Sequence, residues 1–517
     1  MSVRERDNIV TPGRNFEERA RHAVADPELQ RALRNLGQRL FTARDVAHDH
    51  GDLKDRAAAI RREVLADLDS WLRRVTSTLE SLGVIVHHAA TAHDARRIIV
   101  GIAHAEGVRT VVKSKSMASE EIELNQAFES AGIRSVETDL GEYIVQVAGE
   151  RPSHMITPAI HKTLGQIRDV LVKVSGDAIE EDREAITQWA RKRLRDEFIA
   201  GDMGVTGANF VAADTGTIVL VTNEGNGRLC TTLPRVHVAV VPIEKIVPRF
   251  TDVATLLPLL TMTATGQRLT NYLSMITGPR REGEVDGPES LHVVLLDNNR
   301  RALLGTPYEE MLACIRCGAC LNVCPVYRRV SGHAYDAVYS GPMGKVLTPL
   351  LSRGSNGRDL PGASTLCGAC TEACPVEIPL ADLLVRLRAD LRGTGALVGA
   401  RGSAPPPPEG RVARRERPGE GYPWPLARAP VVTPPPRPPS VRSIMFAVWA
   451  RVWAAPSGYR ISTAAARVAV RTLAPGRRWS TTMPGVTGWT RSRDLPLPAP
   501  RSFRDRWAAR ERGDERW

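Results

Sequence analysis

Residues 314–325 read CIRCGACLNVCP, four cysteines in eleven residues with the spacing C-x2-C-x2-C-x3-C followed by proline, and a shorter set, CGACTEACP, occupies 367–375. Three thiolates spaced by two residues can wrap three corners of an iron–sulfur cubane within one tight turn of backbone. The fourth cysteine of such a run points away and serves the other cluster, and the proline after it keeps the chain from continuing as helix. The spacing therefore predicts crossed wiring. Cys314, Cys317, Cys320 and Cys374 would hold one cluster; Cys324, Cys367 and Cys370 would hold a second. Zinc ribbons use isolated C-x2-C pairs, and disulfide frameworks belong to short secreted chains, so neither explains the run.

The second set lacks one ligand. A full copy would carry cysteine three residues before Cys367, where Ser364 stands. Three cysteines fit either a 3Fe-4S cluster or a 4Fe-4S cluster whose last iron takes Ser364, water or another group. The expectation is thus two iron–sulfur clusters, one 4Fe-4S and one 4Fe-4S or 3Fe-4S. Cys230, the remaining cysteine, reads as a small buried hydrophobe.

Working outward, 517 residues exceed one ordinary domain, and 42% hydrophobic content suffices for a sizeable core. Cysteines committed to clusters suit a reducing compartment. The first residues are charged and lack an apolar signal segment, and no apolar run approaches a membrane span, so a cytoplasmic protein is expected. The net charge of +12 is localised: from residue 395 onward there are 22 Arg, no Lys and 8 acidic residues. A basic patch for an anionic membrane surface or an acidic partner is the sharper reading of that tail. No zinc-finger, RNP or basic-zipper pattern supports nucleic-acid binding.

Five segments follow from the patterning. Residues 1–69 form a helical lead-in, with a periodic helical run ending near Gly83. Residues 70–300 alternate short β-branched runs with helices, which predicts an α/β domain with a substantially parallel sheet. Strands are expected at VIVHH from Val84, RTVVKS, IRSVET, Asn209–Ala213, Thr217–Thr222, His237–Val241 and His292–Leu296, with a long helix over about 178–200. Residues 301–395 form a small α-helical ferredoxin-type domain. A Pro/Arg-rich linker spans 396–440. The segment 441–517, holding most of the tail's seven Trp residues, reads as a docking segment.

Two loops of the α/β domain are ligand candidates. Lys113 and Lys115 follow a strand and precede a helix capped by Ser116 or Ser119; amides and lysine charge there could bind a carboxylate or phosphate. Asn223 and Glu224 begin a glycine-rich turn, expected where ligands gather beyond the carboxyl ends of parallel strands. Spacing alone favours a solvated loop with a helix cap for the first, and the second reads equally as an ordinary glycine-rich turn. No G-x-G-x-x-G follows a strand, and Gly344-Lys345 lacks the glycine spacing of a phosphate loop, so no flavin or nucleotide fingerprint is evident. His87, His88, His154, His161 and His237 show no metal spacing, and no catalytic residue is identified.

VVKSKSMASEEIELN at 111–125, ETDLGEYIVQVAGERPSHMITPAIHK at 137–162 and ANFVAADTGTIVLVTNEGNGRLCTTLPRVHVAV at 208–240 resemble the lactate-utilisation (LUD) domain family. With GPMGKVLTPLL at 341–351, the cysteine pattern and the terminal GWTRSRDLPLPAPRSFRDRW, the chain resembles lactate-utilisation iron–sulfur proteins of the LutB type. The resemblance implies a sugar-isomerase/CoA-transferase-like fold for the large domain, with Glu224 as a covalent carboxylate by analogy with CoA transferases. It implies an electron-transfer subunit of a complex oxidising L-lactate to pyruvate, with the other subunits and an electron acceptor at the membrane as partners. Two alternatives stand beside it: a heterodisulfide-reductase-like carrier for another donor, and a metabolite-binding redox sensor with structural clusters.

Overall fold

The computed structural model describes residues 15–33 and 51–393, and within the C-terminal part residues 457, 465, 479–480 and 495–496. The Pro/Arg-rich linker expected at 396–440 lies outside the described residues, as does nearly all of the docking segment expected at 441–517. There, Trp479–Ser480 pairs antiparallel with Leu495–Pro496 in a separate compact unit.

Among the described residues of the first unit, ten strands build two sheets. In chain order they are β1 (Ile85–Ala89), β2 (Thr110–Lys113), β3 (Arg134–Glu137), β4 (Met203–Thr206), β5 (Phe210–Ala212), β6 (Ile218–Thr222), β7 (Val236–Pro242), β8 (Ile246–Val247), β9 (Tyr272–Ile276) and β10 (Ser290–Leu296). The first sheet has the order β1-β10-β7-β4-β2-β3, and every pairing in it is parallel. Its centre is rich in β-branched residues: β7 is VHVAVVP, buried at every position, as a parallel strand covered on both faces must be. On one face Ile99 of helix Ala92–Ala105 and Phe128 of helix Leu124–Ser130 pack onto Val238 and Val294. On the other, helix Leu68–Ser81 lays Leu72, Val75 and Leu79 against Val241, Val293 and the second sheet's Ile218. Asp67 caps that helix through Ser70 N, and the chain leaves it through Gly83 at φ +80°, the stop expected from sequence.

The second sheet, β8-β5-β6-β9, is mixed: β5 pairs parallel with β8, and β6 runs antiparallel to both β5 and β9. This corrects the sequence-based placement of Asn223 and Glu224, because the strand they follow is not part of the parallel sheet. Asn226 and Gly227 belong to the helix Asn226–Thr232 rather than to a turn. β4 escapes strand patterning because Gly204 interrupts it. A Cβ at Gly204 would sit 1.8 Å from the Cys230 carbonyl, so the bare backbone lets helix Asn226–Thr232 lie directly on β4. The long helix begins at Arg183, where Asp182 accepts from Glu184 N and Ala185 N; an additional helix, Leu164–Ser175, carries a Thr163/Gln166 capping box.

The cysteine-bearing region and the α/β domain share buried apolar side chains. One apolar core joins Phe210, Val219, Leu256 and Leu259 to Leu312, Leu321, Cys317 and Leu347. The helical lead-in closes this core. Helix Phe16–Ala25 sets Phe16 edge-on to Tyr335, with ring centroids 5.2 Å apart, and Arg19 Nε donates to Ala334 O. At Gly332 an added Cβ would meet the Ser153 carbonyl at 1.8 Å, and Tyr327 OH donates to that same carbonyl at 2.8 Å. Among the described residues no helix is long and apolar enough to cross a membrane.

Candidate iron–sulfur site

The two cysteine sets share a backbone form. Cys317-Gly318-Ala319-Cys320 and Cys367-Gly368-Ala369-Cys370 each hold glycine in the left-handed region, at φ +79° and +82°, opening the short helices Ala319–Val323 and Ala369–Glu372. The residue before each set, Arg316 at φ +60° and Leu366 at +56°, is left-handed too, a conformation that costs about 1–3 kcal/mol and persists only when its surroundings enforce it. Alternating hands turn successive amides inward and make the concave nests found around iron–sulfur clusters. Ser364 occupies the position in the second loop that Cys314 occupies in the first.

Cys314, Cys317, Cys320 and Cys374 line one small cavity, closed by Met311, Met343 and Ile378. Their charges are felt mutually: burial pushes the Cys374 thiol up to about 12, and Cys317 and Cys314 add to it. Burial likewise pushes Cys317 to about 11, with Cys314 adding. Cys370 is raised by burial and then by Cys324, with Cys367 adding further, so these three form the second group. Backbone amides face the sulfurs: Arg316 N lies 3.4 Å from Cys314 Sγ, Ile378 N 3.3 Å from Cys374 Sγ and Tyr327 N 3.5 Å from Cys324 Sγ.

These residues fit iron–sulfur clusters. Among the described residues no group of Cys, His, Asp or Glu converges tightly enough for a single metal ion. Four thiols around one closed space, each reached by an inward amide, match a cubane whose irons sit at separate corners. Thiols raised this far would stay protonated alone, so metal binding must displace the protons. The two groups differ in exposure: Cys317, Cys320, Cys324, Cys370 and Cys374 are buried, Cys314 is half-buried and Cys367 is exposed. Ser364 is half-buried; its Oγ accepts from Leu366 N at 3.2 Å, and its carbonyl holds Arg388.

Buried charged residues surround the first group. Arg61, at 1% exposure, donates to the carbonyls of Ala313, Ile246, Leu312 and Glu244 and so ties the lead-in to the segment entering Cys314. Arg300 is fully buried, with Nε 2.6 Å from Glu244 and both terminal nitrogens on Glu121, at 2.8 and 2.6 Å. Arg316 Nη2 reaches Glu244 Oε1 at 2.9 Å, and its guanidinium lies 5.0 Å from the Tyr339 ring centre. Lys245 Nζ contacts Ile315 O at 3.5 Å, and burial, then the Arg316 charge, bring its pKa down to about 7. Three arginines and Lys245 thus face two carboxylates, an excess of positive charge that suits a thiolate-held cluster. Beside the second group Lys345, buried, reaches Cys324 Sγ at 3.5 Å. The only sequence signals for these residues were Arg316 inside the cysteine run and Lys345 inside GPMGKVLTPLL.

The four loop candidates separate. Lys115, Asn223 and Glu224 line one cavity of about 770 Å³, the last two exposed at its rim, and Lys115 Nζ bonds Asp139 at 3.1 Å and Ile156 O at 2.9 Å. Lys113 does not line it. Its side chain is fully buried, with Nζ 2.6 Å from Glu137 and 3.1 Å from Glu120, and these carboxylates outweigh the burial that would otherwise lower its pKa. Ser116 is the cap, accepting from Ser119 N. Cys230 is fully buried beside Thr138, away from both cysteine groups, and burial pushes its thiol up to about 12.

The LUD domain family matches residues 72–296, a 4Fe-4S dicluster domain 310–378, and the C-terminal family of lactate utilisation protein B 427–512. Lactate utilization protein B of Lysinibacillus sphaericus is 38% identical over 515 residues, covering 98% of this chain and 99% of its own. The protein of that name in Bacillus subtilis is 45% identical, covering 73% and 80%. An Escherichia coli protein described as an uncharacterized electron transport protein, YkgF, is 45% identical, covering 74% and 81%. A solved DUF162 family protein from Deinococcus radiodurans, 16% identical, covers 44% of this chain and 98% of its own with a TM-score of 0.24, too loose a correspondence to inform the fold. With a LUD domain, a 4Fe-4S dicluster region and a full-length relative of this similarity, the chain belongs to the lactate utilisation protein B family of iron–sulfur proteins.

Proposed function

We propose that this chain is the iron–sulfur electron-transfer subunit of a complex oxidising L-lactate to pyruvate. Cys314, Cys317, Cys320 and Cys374 hold a 4Fe-4S cluster, and Cys324, Cys367 and Cys370 hold three corners of a second. The observation carrying the reading is the sorting of seven cysteines into two adjoining groups, one walled off by apolar residues and the other open at Cys367. Bound there, iron–sulfur clusters supply single-electron exchange.

The chain's own residues do the rest. Met311, Met343 and Ile378 exclude water from the first group, and Arg61, Lys245 and Arg316 offset its negative charge. Lys345 does the same at Cys324. The exposed Cys367 edge, beside Leu366 at 38% exposure, is where a donor or acceptor protein can approach. Its partners are then the other subunits of a lactate utilisation complex and an electron acceptor, docked by the basic tail.

Anaerobic EPR of the protein co-purified with its partners, before and after L-lactate with D-lactate as control, tests this. Reduction of both clusters by the L-isomer alone is expected. Oxidised clusters that respond only to dithionite would point instead to another donor or to a sensing role. Ser364→Ala addresses the fourth ligand: unchanged iron content and spectra would exclude serine ligation.

A further inference from the structure

The 770 Å³ cavity lies between the α/β domain and the loop bearing Cys314 and Cys317, and the cysteine chemistry does not use it. Its size is that of pockets enclosing whole cofactors or drug-sized ligands, far beyond a three-carbon acid. Leu140, Ile144, Ile156 and Leu260 make an apolar wall. Lys245 and Arg316 supply positive charge on another.

Those two cations are incompletely matched. Lys245 is 7% exposed, and among the described residues its Nζ makes one hydrogen bond, the long contact to Ile315 O, and no ion pair. The Arg316 side chain is 8% exposed; Nη2 is engaged by Glu244, and Nη1 is buried without a hydrogen-bond partner. A buried cation without a counter-ion is costly, so the fold holds such a pair where an anion completes it. Cys314 bears on both cations through space, but Arg316 borders both this cavity and the cysteine cavity, whereas Lys245 borders only this one and, among the described residues, has no carboxylate or thiol in contact with its Nζ.

We propose that this cavity binds an organic anion of cofactor size, its phosphate or carboxylate held by Lys245 and Arg316 and its flat or apolar body against Leu140, Ile144 and Leu260. The proposal goes beyond the electron-transfer reading and does not depend on lactate turnover, since binding is read on the oxidised protein without partners.

Flavin mononucleotide is a suitable probe, followed by fluorescence on the full chain with its clusters reconstituted. Saturable binding at one site is expected. Riboflavin, the same ring without phosphate, binds at least tenfold more weakly, and pyruvate or inorganic phosphate displaces the probe only at concentrations at least a hundredfold higher. Lys245→Gln raises the dissociation constant at least tenfold with iron content unchanged, and Lys245→Arg stays within threefold. Absence of probe binding, equal affinity for riboflavin, or pyruvate or phosphate competing on equal terms overturns the proposal. The riboflavin comparison needs no variant, so a misfolded Lys245→Gln leaves the test intact.

Discussion

Replacing Arg300 with methionine strands two carboxylates inside the protein. Arg300 is fully buried, Glu244 is fully buried and Glu121 is 8% exposed, and all three contacts from the guanidinium to these carboxylates lie between 2.6 and 2.8 Å. Removing one partner of a buried ion pair costs about 3–5 kcal/mol, chiefly the penalty of the charge left behind. Glu244 keeps Arg316, and Glu121 keeps hydrogen bonds from Tyr339 and Asn298, so the lower half of that range, about 3–4 kcal/mol, is expected. At roughly 2 °C per kcal/mol for a large domain, the melting midpoint should drop by about 6–8 °C.

The pH dependence identifies the cause. Burial works to raise the Glu121 carboxyl, and Arg300 overcomes it, leaving the folded-state pKa below the usual value of 4.5. A depressed carboxylate contributes stability that is present above its unfolded pKa and is lost as pH falls through the folded value. In Arg300→Met burial acts on Glu121 without that opposition and raises its carboxyl, so the gap between variant and parent should narrow as pH falls from the variant's raised value toward the parent's depressed one, where Glu121 is protonated in both. Adding Glu121→Gln should restore at least about 1 kcal/mol by removing the stranded charge. Calorimetric scans from pH 4 to 8 at matched iron content measure this. A melting loss under 2 °C, or one independent of pH, would refute the electrostatic account.

Three further outcomes follow. Cys374→Ser, though it lies in the second sequence motif, should alter the EPR signal of the cluster held by Cys314, Cys317 and Cys320 and spare that of Cys324 and Cys370; the reverse pattern would sink the crossed assignment. Lys345→Met removes a positive charge 3.5 Å from Cys324 Sγ and should lower that cluster's reduction potential by about 50–100 mV in a redox titration, with the other cluster nearly unmoved. Gly332→Ala drives a methyl group into the Ser153 carbonyl and should cost at least about 1–3 kcal/mol by overpacking, seen as earlier denaturant unfolding and faster iron loss to a chelator.

The sequence by itself determined the iron–sulfur character of the chain and set the expectation of crossed ligands, because cubane geometry imposes a spacing that few other sites share. It also determined the alternation of β-branched runs and helices, since a parallel strand buried on both faces reveals itself as a continuous apolar stretch, as in β7. Tertiary structure decided what surrounds them. Gly204 hid β4, because its value is the close approach of the Cys230 carbonyl, a contact 26 residues away in sequence. Lys113 and Lys115 are two residues apart, yet Lys113 ends β2 among buried carboxylates, whereas the chain has left the strand by Lys115, whose side chain lines the cavity. Arg61, Glu244, Arg300 and Arg316 come from four separated segments and form one buried network. Buried charges need partners at a few ångströms, and those partners are set by how the segments pack, a relation that no local spacing records.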